Sequence, residues 1–455
     1  MNFDTHRAGL LLHPTSLPSG DLTDAGRWLD FLQAAGMQVW QMLPLGLPLV
    51  GLSPYQCVSA FAVNPALFPS KQDIRPRVDM RRFVSWRHSQ QLWLDDYARF
   101  IIIKREHGGA PWTDWPIPLR DRDPHALAGF DAVHEASLKA VMTEQYCASV
   151  FWQGMRAEAS MRGIQLFGDM PIFVAHDSAD VWAQRELFLL EADGQPTVVA
   201  GVPPDYFSET GQRWGNPHYN WAAMQADNFA WWRARLRTHF EWFDLVRIDH
   251  FRGLAAAWTI PANEPTAMRG EWVSTPGAAL LQAIADEQGA LPLVAEDLGV
   301  ITPDVTALRH QFNLPGMAVL QFAFDDHADN PHKPGNVHPD TVYYVGTHDN
   351  DTTLGWWHTL PDHARQQVMQ QLSVSDAEAV PEAMIDTILH SAAALVVLTL
   401  QDVLHLGSTA RMNTPGTENG NWMWKFDWND LPAELAPHLL EQLQKAHRCE
   451  REPHL

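Results

Sequence analysis

The sequence predicts an α/β protein of the (β/α)8, or TIM-barrel, class, and three observations carry that expectation. Eight short apolar runs, near residues 10, 41, 168, 246, 294, 320, 344 and 397, suit buried parallel strands. Segments of helical apolar spacing separate them, as a strand–helix repeat requires. Polar residues close almost every run, and strand ends are where a barrel of parallel strands carries its chemistry. A doubly wound open sheet is the alternative. It is disfavoured because no Gly-x-Gly-x-x-Gly follows an early strand.

The first run, 8–12, passes into the rigid loop His13-Pro14-Thr15-Ser16-Leu17-Pro18. Residues 22–35 have helical spacing and stop at Gly36. The second run, 39–43, leads into a Gly- and Pro-rich loop holding Ser53-Pro54-Tyr55-Gln56. A polar and aromatic loop after a strand fits ligand contact, with ordinary loop packing as the alternative. Residues 70–150 are charged, Trp-bearing and mainly helical, and read as an inserted helical subdomain within a single catalytic barrel of residues 1–455. The third run, 164–174, carries Gly168-Asp169-Met170-Pro171-Ile172. A second insertion, 176–220, contains the longest non-periodic stretch, 198–221. Its aromatic residues argue against disorder and for a lid over a cleft.

The fourth run ends in Val246-Arg247-Ile248-Asp249-His250-Phe251-Arg252-Gly253. Arg247 and Asp249 are two apart, so on a strand they point the same way. A structural ion pair capping the strand is the plainer reading, and three further acidic strand ends count against it. Those ends are Ala295-Glu296-Asp297, the pair Asp325-Asp326, and His348-Asp349-Asn350-Asp351; Gln401-Asp402 closes the eighth run.

The formal charge of −22 over 455 residues argues against nucleic acid and anionic membranes as partners and agrees with a neutral ligand. Three cysteines without Cys-x-x-Cys spacing make a disulfide framework or structural zinc site unexpected. The first residues lack the pattern of a signal peptide, so the cytoplasm is the expected compartment. Twenty tryptophans point mildly to carbohydrate, because indole faces stack on sugar rings; core packing is the alternative for any one of them.

Asp249, Glu296 and Asp349 end the fourth, fifth and seventh runs, and barrel closure brings all three to one rim. Glycosidic-bond chemistry needs one ionised carboxylate to attack and one protonated carboxyl to supply the leaving oxygen. Arg247 beside Asp249 favours the anion there. Glu296 follows an apolar run, and desolvation raises a carboxyl pKa. Asp349, beside His348, is then free to hydrogen-bond sugar hydroxyls. A catalytic metal would ordinarily be announced by His-x-His after the first strand, where a single His13 stands. A phosphate loop and a Gly-x-Ser-x-Gly elbow are also missing, so neither metal nor cofactor is expected.

At these residues the chain resembles the amylomaltase family, the 4-α-glucanotransferases or disproportionating enzymes. The resemblance runs from Leu11-Leu12-His13-Pro14 to Asn419-Gly420-Asn421-Trp422 and rests on the blocks quoted above together with residues 204–217. It implies that Asp249 is the nucleophile, Glu296 the acid/base and Asp349 the transition-state stabiliser. It implies that Arg247, Asp169 and His348 line the reactive subsite, with Tyr55, Tyr206, Phe207, Trp214, His250 and Asn421 also near bound glucan. The related α-amylases close their third strand with an Asn-His pair; here Pro171-Ile172-Phe173 stands in that place, as in the amylomaltase branch. The β-rich tail of α-amylases is lacking, so no C-terminal β-sandwich domain is expected. The activity implied is transfer between α-1,4-glucans and maltooligosaccharides as donor and acceptor, without a cofactor. A glucan hydrolase, a branching enzyme and a non-catalytic glucan-binding protein are the other classes; all three carboxylates being present speaks against the last.

Overall fold

The computed structural model describes residues 5–70, 78–204, 208–417 and 419–449. In chain order the strands are β1 (Arg7–Leu11), β2 (Val39–Gln41), β3 (Gln165–Pro171), β4 (Val198–Val202), β5 (Gln212–Pro217), β6 (Leu245–Asp249), β7 (Ala256–Pro261), β8 (Glu271–Ser274), β9 (Leu293–Ala295), β10 (Gly316–Val319), β11 (Thr341–Tyr344) and β12 (Leu395–Thr399). Eight form one parallel sheet in the order β10-β11-β12-β1-β2-β3-β6-β9. The ends of that order meet where the Ala295 N–H donates to Pro315 O at 2.9 Å. The eight expected runs are the eight staves of this barrel.

The alternation of each stave makes two cores. Leu11, Val39, Phe167, Leu245, Val294, Val319, Val342 and Val397 point inward and fill the barrel. Leu10, Trp40, Leu166, Val246, Leu293, Ala318, Tyr343 and Val396 point outward against the helices. Strand β6 is registered on β3 with Phe167 opposite Leu245 and Asp169 opposite Arg247. The Asp244 carboxylate helps hold that register by accepting the Leu166 N–H at 2.9 Å. Polar Asp169 and Arg247 thus follow Phe167 and Leu245 on the inner face, one layer nearer the mouth.

Between β2 and β3 lie the helices Met80–Ser89, Leu94–Glu106 and Pro124–Met161. Pro124 starts the longest with a preset φ, and the Asp123 side chain caps it by accepting the Ala126 N–H. The helix bends at His134, whose φ of −107° and ψ of 15° leave the helical range. Its last turns reach the barrel: Trp152 Nε1 donates to Trp242 O at 2.7 Å, and Arg156 pairs with Asp244 at 2.6 Å.

The stretch 198–221 differs from its reading as non-periodic. It contains β4 and β5, which join β7 and β8 in a four-stranded antiparallel sheet of order β5-β4-β7-β8. These strands escaped the sequence pattern because β5 carries Gly215, Asn216 and Pro217, and β8 is exposed along its whole length. The partner that makes β4 a strand, β7, lies beyond β6 in the chain. Among the described residues no strand follows Thr399, and no helix is long and apolar enough to cross a membrane.

The helix Leu435–Lys445 packs on the helix Ala25–Ala34. Gly36 permits it: its φ is 72°, and a Cβ there would lie 2.7 Å from Leu440 Cδ1. Just beyond, Arg448 is buried and acts as a staple at the strand-start end of the barrel. It donates to the carbonyls of Arg7 (3.2 Å), Ala393 (2.9 Å) and Ser391 (2.8 Å), as well as to Leu389 O. One side chain thereby joins the start of β1 to the turn before β12. Replacing Arg448 by Met strands several buried carbonyls at once, so we expect a loss of about 2–4 kcal/mol in unfolding free energy. Urea denaturation of parent and variant measures it, and a change below about 0.5 kcal/mol, the usual range for an inert surface site, would refute the staple.

Candidate active site

The site is built outward from β3 and β6. Arg247 Nη1 donates to both Asp169 oxygens, at 2.9 and 2.7 Å, and its Nη2 lies 2.9 Å from Asp249 Oδ1. The side chains of Arg247 and Asp169 are 6 % and 0 % exposed, while Asp249 keeps 30 % of its surface open. The same-face relation of Arg247 and Asp249 therefore appears as a direct ion pair.

Glu296 follows β9 and is held by main chain. Its Oε2 accepts the His250 N–H at 2.7 Å and its Oε1 accepts the Leu298 N–H at 3.1 Å. His250 can present that N–H because it is left-handed, with φ 54° and ψ 48°, which turns the chain sharply at the end of β6. Glu296 N–H donates to Ile248 O at 3.0 Å, and Phe251 N–H to Glu296 O at 3.1 Å. Asp249 and Glu296 consequently stand at neighbouring strand ends. The His250 ring meets Trp214 edge to face, centroids 4.8 Å apart.

Tyr55, from the loop after β2, crosses the mouth. Its hydroxyl is 2.8 Å from Asp169 Oδ2 and 2.8 Å from His348 Nε2. The carboxylate can only accept, so the hydroxyl proton goes to Asp169 and His348 Nε2 carries the proton it donates to Tyr55. Burial holds the His348 imidazole below its ordinary pKa, hence neutral. Next to it, Asp349 has a half-open side chain, 46 % exposed, 3.4 Å from His348 Nε2. Asn413 Nδ2 donates to Asp349 Oδ1 at 2.6 Å, and Arg411 donates from Nη2 to Asp349 O at 2.6 Å and from Nε to Asn413 O.

One contiguous set thus unites Tyr55, Asp169, Arg247, Asp249, His348 and Asp349, and a second unites Glu296, His250 and Trp214. Asn421 spends its amide inside its own loop, accepting from Thr414 N and donating to Thr417 O, both at 2.9 Å. Its neighbour Trp422 leans on Tyr55 and His348, with centroids 6.1 and 6.0 Å apart. Tyr206 and Phe207 lie outside the described residues. Several acidic strand ends are structural instead. Asp297 accepts Met317 N at 2.7 Å and pairs with Arg309, Asp351 accepts from Ser408 Oγ at 2.7 Å, and Asp402 accepts Thr353 N at 2.6 Å. Arg411 and Asn413 escaped the sequence reading, since they sit in an irregular segment after the last stave.

Burial raises both Asp249 and Glu296 above the ordinary carboxylate range, against the opposing pull of Arg247 on each. Glu296 moves as its apolar approach predicts. Asp249 does not stay low as its pairing with Arg247 alone predicts; it is pushed up to about 8. Between the ordinary value near 3.9 and about 8, the folded chain keeps a proton shared among Asp249 and the carboxyl groups beside it that the unfolded chain has released. Stability therefore falls as pH rises through that window. Asp249→Asn removes the titration, so the variant should melt above the parent, with a larger gain at pH 8 than at pH 5. Calorimetry at the two pH values tests this, and a gain greater at pH 5 contradicts it.

The sequence model of the 4-alpha-glucanotransferase family matches residues 11–76 and 66–430. The 4-alpha-glucanotransferase of Thermus thermophilus is 46 % identical over 94 % of this chain and 95 % of its own length. That of Synechocystis sp. is 43 % identical over 96 % of this chain and 97 % of its own. The structure of amylomaltase from Streptococcus agalactiae in complex with acarbose superposes with a TM-score of 0.93 and 31 % identity, covering 98 % of this chain and all of that one. By family model, sequence and fold alike, this chain belongs to the 4-alpha-glucanotransferases, the amylomaltase family.

Proposed function

We propose that the chain transfers α-1,4-glucan segments between maltodextrins by a retaining double displacement through a glycosyl ester on Asp249. The observation that carries the reading is the pair of carboxyl groups at adjoining strand ends, Asp249 facing Arg247 and Glu296 cradled by backbone N–H groups. In the reactive form the proton shared by the two carboxyl groups rests on Glu296, and the Asp249 carboxylate attacks the anomeric carbon while Glu296 gives that proton to the departing 4-oxygen. Glu296, now a carboxylate, takes the proton of an acceptor 4-hydroxyl, whose oxygen displaces Asp249. The contacts of Glu296 are compatible with both states, because each oxygen accepts one N–H and keeps a second lone pair. Arg247 supports the anion on Asp249 before attack and again when the acceptor displaces the ester. Asp349 and neutral His348 face the hydroxyls of the reacting sugar.

Two measurements examine this. Asp249→Asn should form no covalent adduct with any donor. Glu296→Gln should still trap an adduct from a donor with a good leaving group, while turnover of maltotriose falls by about 10²–10⁴. The opposite pattern in mass spectrometry, adduct on the first variant and none on the second, reverses the roles.

The second measurement separates transfer from hydrolysis. Transfer conserves glycosidic bonds and reducing ends, whereas hydrolysis creates one reducing end per turnover. Maltotriose should give glucose and longer maltodextrins with total reducing ends nearly constant. Water stands at about 55 M, so preference for a sugar acceptor requires orientation worth several kcal/mol. Reducing ends rising in step with glucose would make the enzyme a glucan hydrolase.

A further inference from the structure

We infer that Asn413 is a positioning residue for the reaction, acting through Asp349; the inference rests on the role given to Asp349 above. The carboxyl groups of the site are held by different means. Asp169 and Asp249 have a guanidinium, and Glu296 has two backbone N–H groups. Asp349 has no such support: its side chain is half exposed and His348 Nε2 lies 3.4 Å away, with its proton directed to Tyr55. The one short donor to the Asp349 carboxylate in the described residues is the Asn413 amide, at 2.6 Å from Oδ1.

The amide is itself fixed from several directions. Arg411 grips the carbonyls of Asn413 and Asp349 together, each at 2.6 Å, and the Asn413 N–H donates to His348 O at 3.2 Å. Asn413 is therefore tied to the backbone of His348 directly and to that of Asp349 through Arg411. Oδ1 is engaged by the amide, and Oδ2 lies 3.4 Å from His348 Nε2. A free carboxylate on a half-exposed Asp would sample other rotamers, and a displacement near 1 Å at a reacting centre costs about 10²-fold in rate.

Asn413→Ala should lower kcat on maltotriose by about 10–100-fold and leave KM within about twofold, since the lost orientation matters most where the sugar is distorted. Asn413→Asp distinguishes positioning from bulk. Two carboxyl groups at that spacing share one proton, so the upper ionisation rises above the ordinary range. Below it, the protonated group donates to its partner much as the amide does, and turnover should approach the parent's. Above it, both are charged and repel, and kcat should fall with rising pH more steeply than the parent's. Rates of N413A and N413D across pH 4.5–8, with melting temperatures taken alongside, give the answer. Parental kcat and pH profile in both variants overturns the inference. So does a loss in N413D that is equal at every pH, which would mark a merely structural residue. Asp349→Asn measured in parallel keeps the two questions apart: parental turnover there removes the role of Asp349 itself, whereas an inactive D349N beside normal Asn413 variants removes only the positioning.

Discussion

A guanidinium buried at the mouth of the barrel, between carboxylates of adjoining strands, is the interaction on which the site depends. Neither Arg247 nor Asp169 is affordable alone in that position, because an isolated buried charge costs several kcal/mol even after relaxation. Together they resist any slip of β6 against β3, since a one-residue shift would turn Arg247 to the outer face. The same pair extends sideways. Arg247 reaches Asp249, Asp169 reaches the Tyr55 hydroxyl, and Tyr55 reaches His348 beyond β11. A single positive charge thus sets the relative placement of two neighbouring strands, the loop after β2 and the far rim.

His250 does the corresponding work between β6 and β9. A bulky residue in the left-handed region costs on the order of 1–3 kcal/mol and persists only where its surroundings hold it. Here the gain is a backbone N–H aimed at Glu296, which a strand continuing past Asp249 would not present. The small antiparallel sheet then returns to the same residue. Chain leaving His250 enters β7, β7 pairs with β4, β4 pairs with β5, and β5 carries Trp214 back onto the His250 ring. The insertion is therefore part of how the strained turn is held.

This geometry explains what was legible in the sequence and what was not. The staves were legible because each is a continuous apolar run buried on both faces, which few other contexts tolerate. Arg247 and Asp249 were legible as a pair because period two is a property of the strand itself. The antiparallel strands were not, since β4 pairs with residues about sixty positions later and every residue of β8 is exposed. Acidic strand ends were too permissive a signal: Glu296 turns to the His250 N–H beside Asp249 and Asp297, its neighbour, ties β10 to the barrel, yet both follow the same apolar run. Asn413 lies outside any period, and only the folded chain brings it to Asp349.

The charge balance of the site bears on how it would act. Asp169 and Asp249 pair with the guanidinium of Arg247, whose charge also acts on Glu296, and His348 beside Asp349 adds no charge because burial keeps it neutral. Burial accordingly raises Asp249 and Glu296, a sign that the resting site has more carboxyl groups than it can hold ionised. A glucan is neutral and relieves none of this on binding. On the mechanism proposed above, positive charge would arrive only when the anomeric carbon turns oxocarbenium-like, beside Asp249. The unfavourable arrangement of the ground state would then be offset in the transition state alone, which is the difference that accelerates a reaction. Stability withheld from the resting enzyme and rate supplied to the reaction would have the same origin, a carboxyl group buried faster than its one guanidinium can compensate.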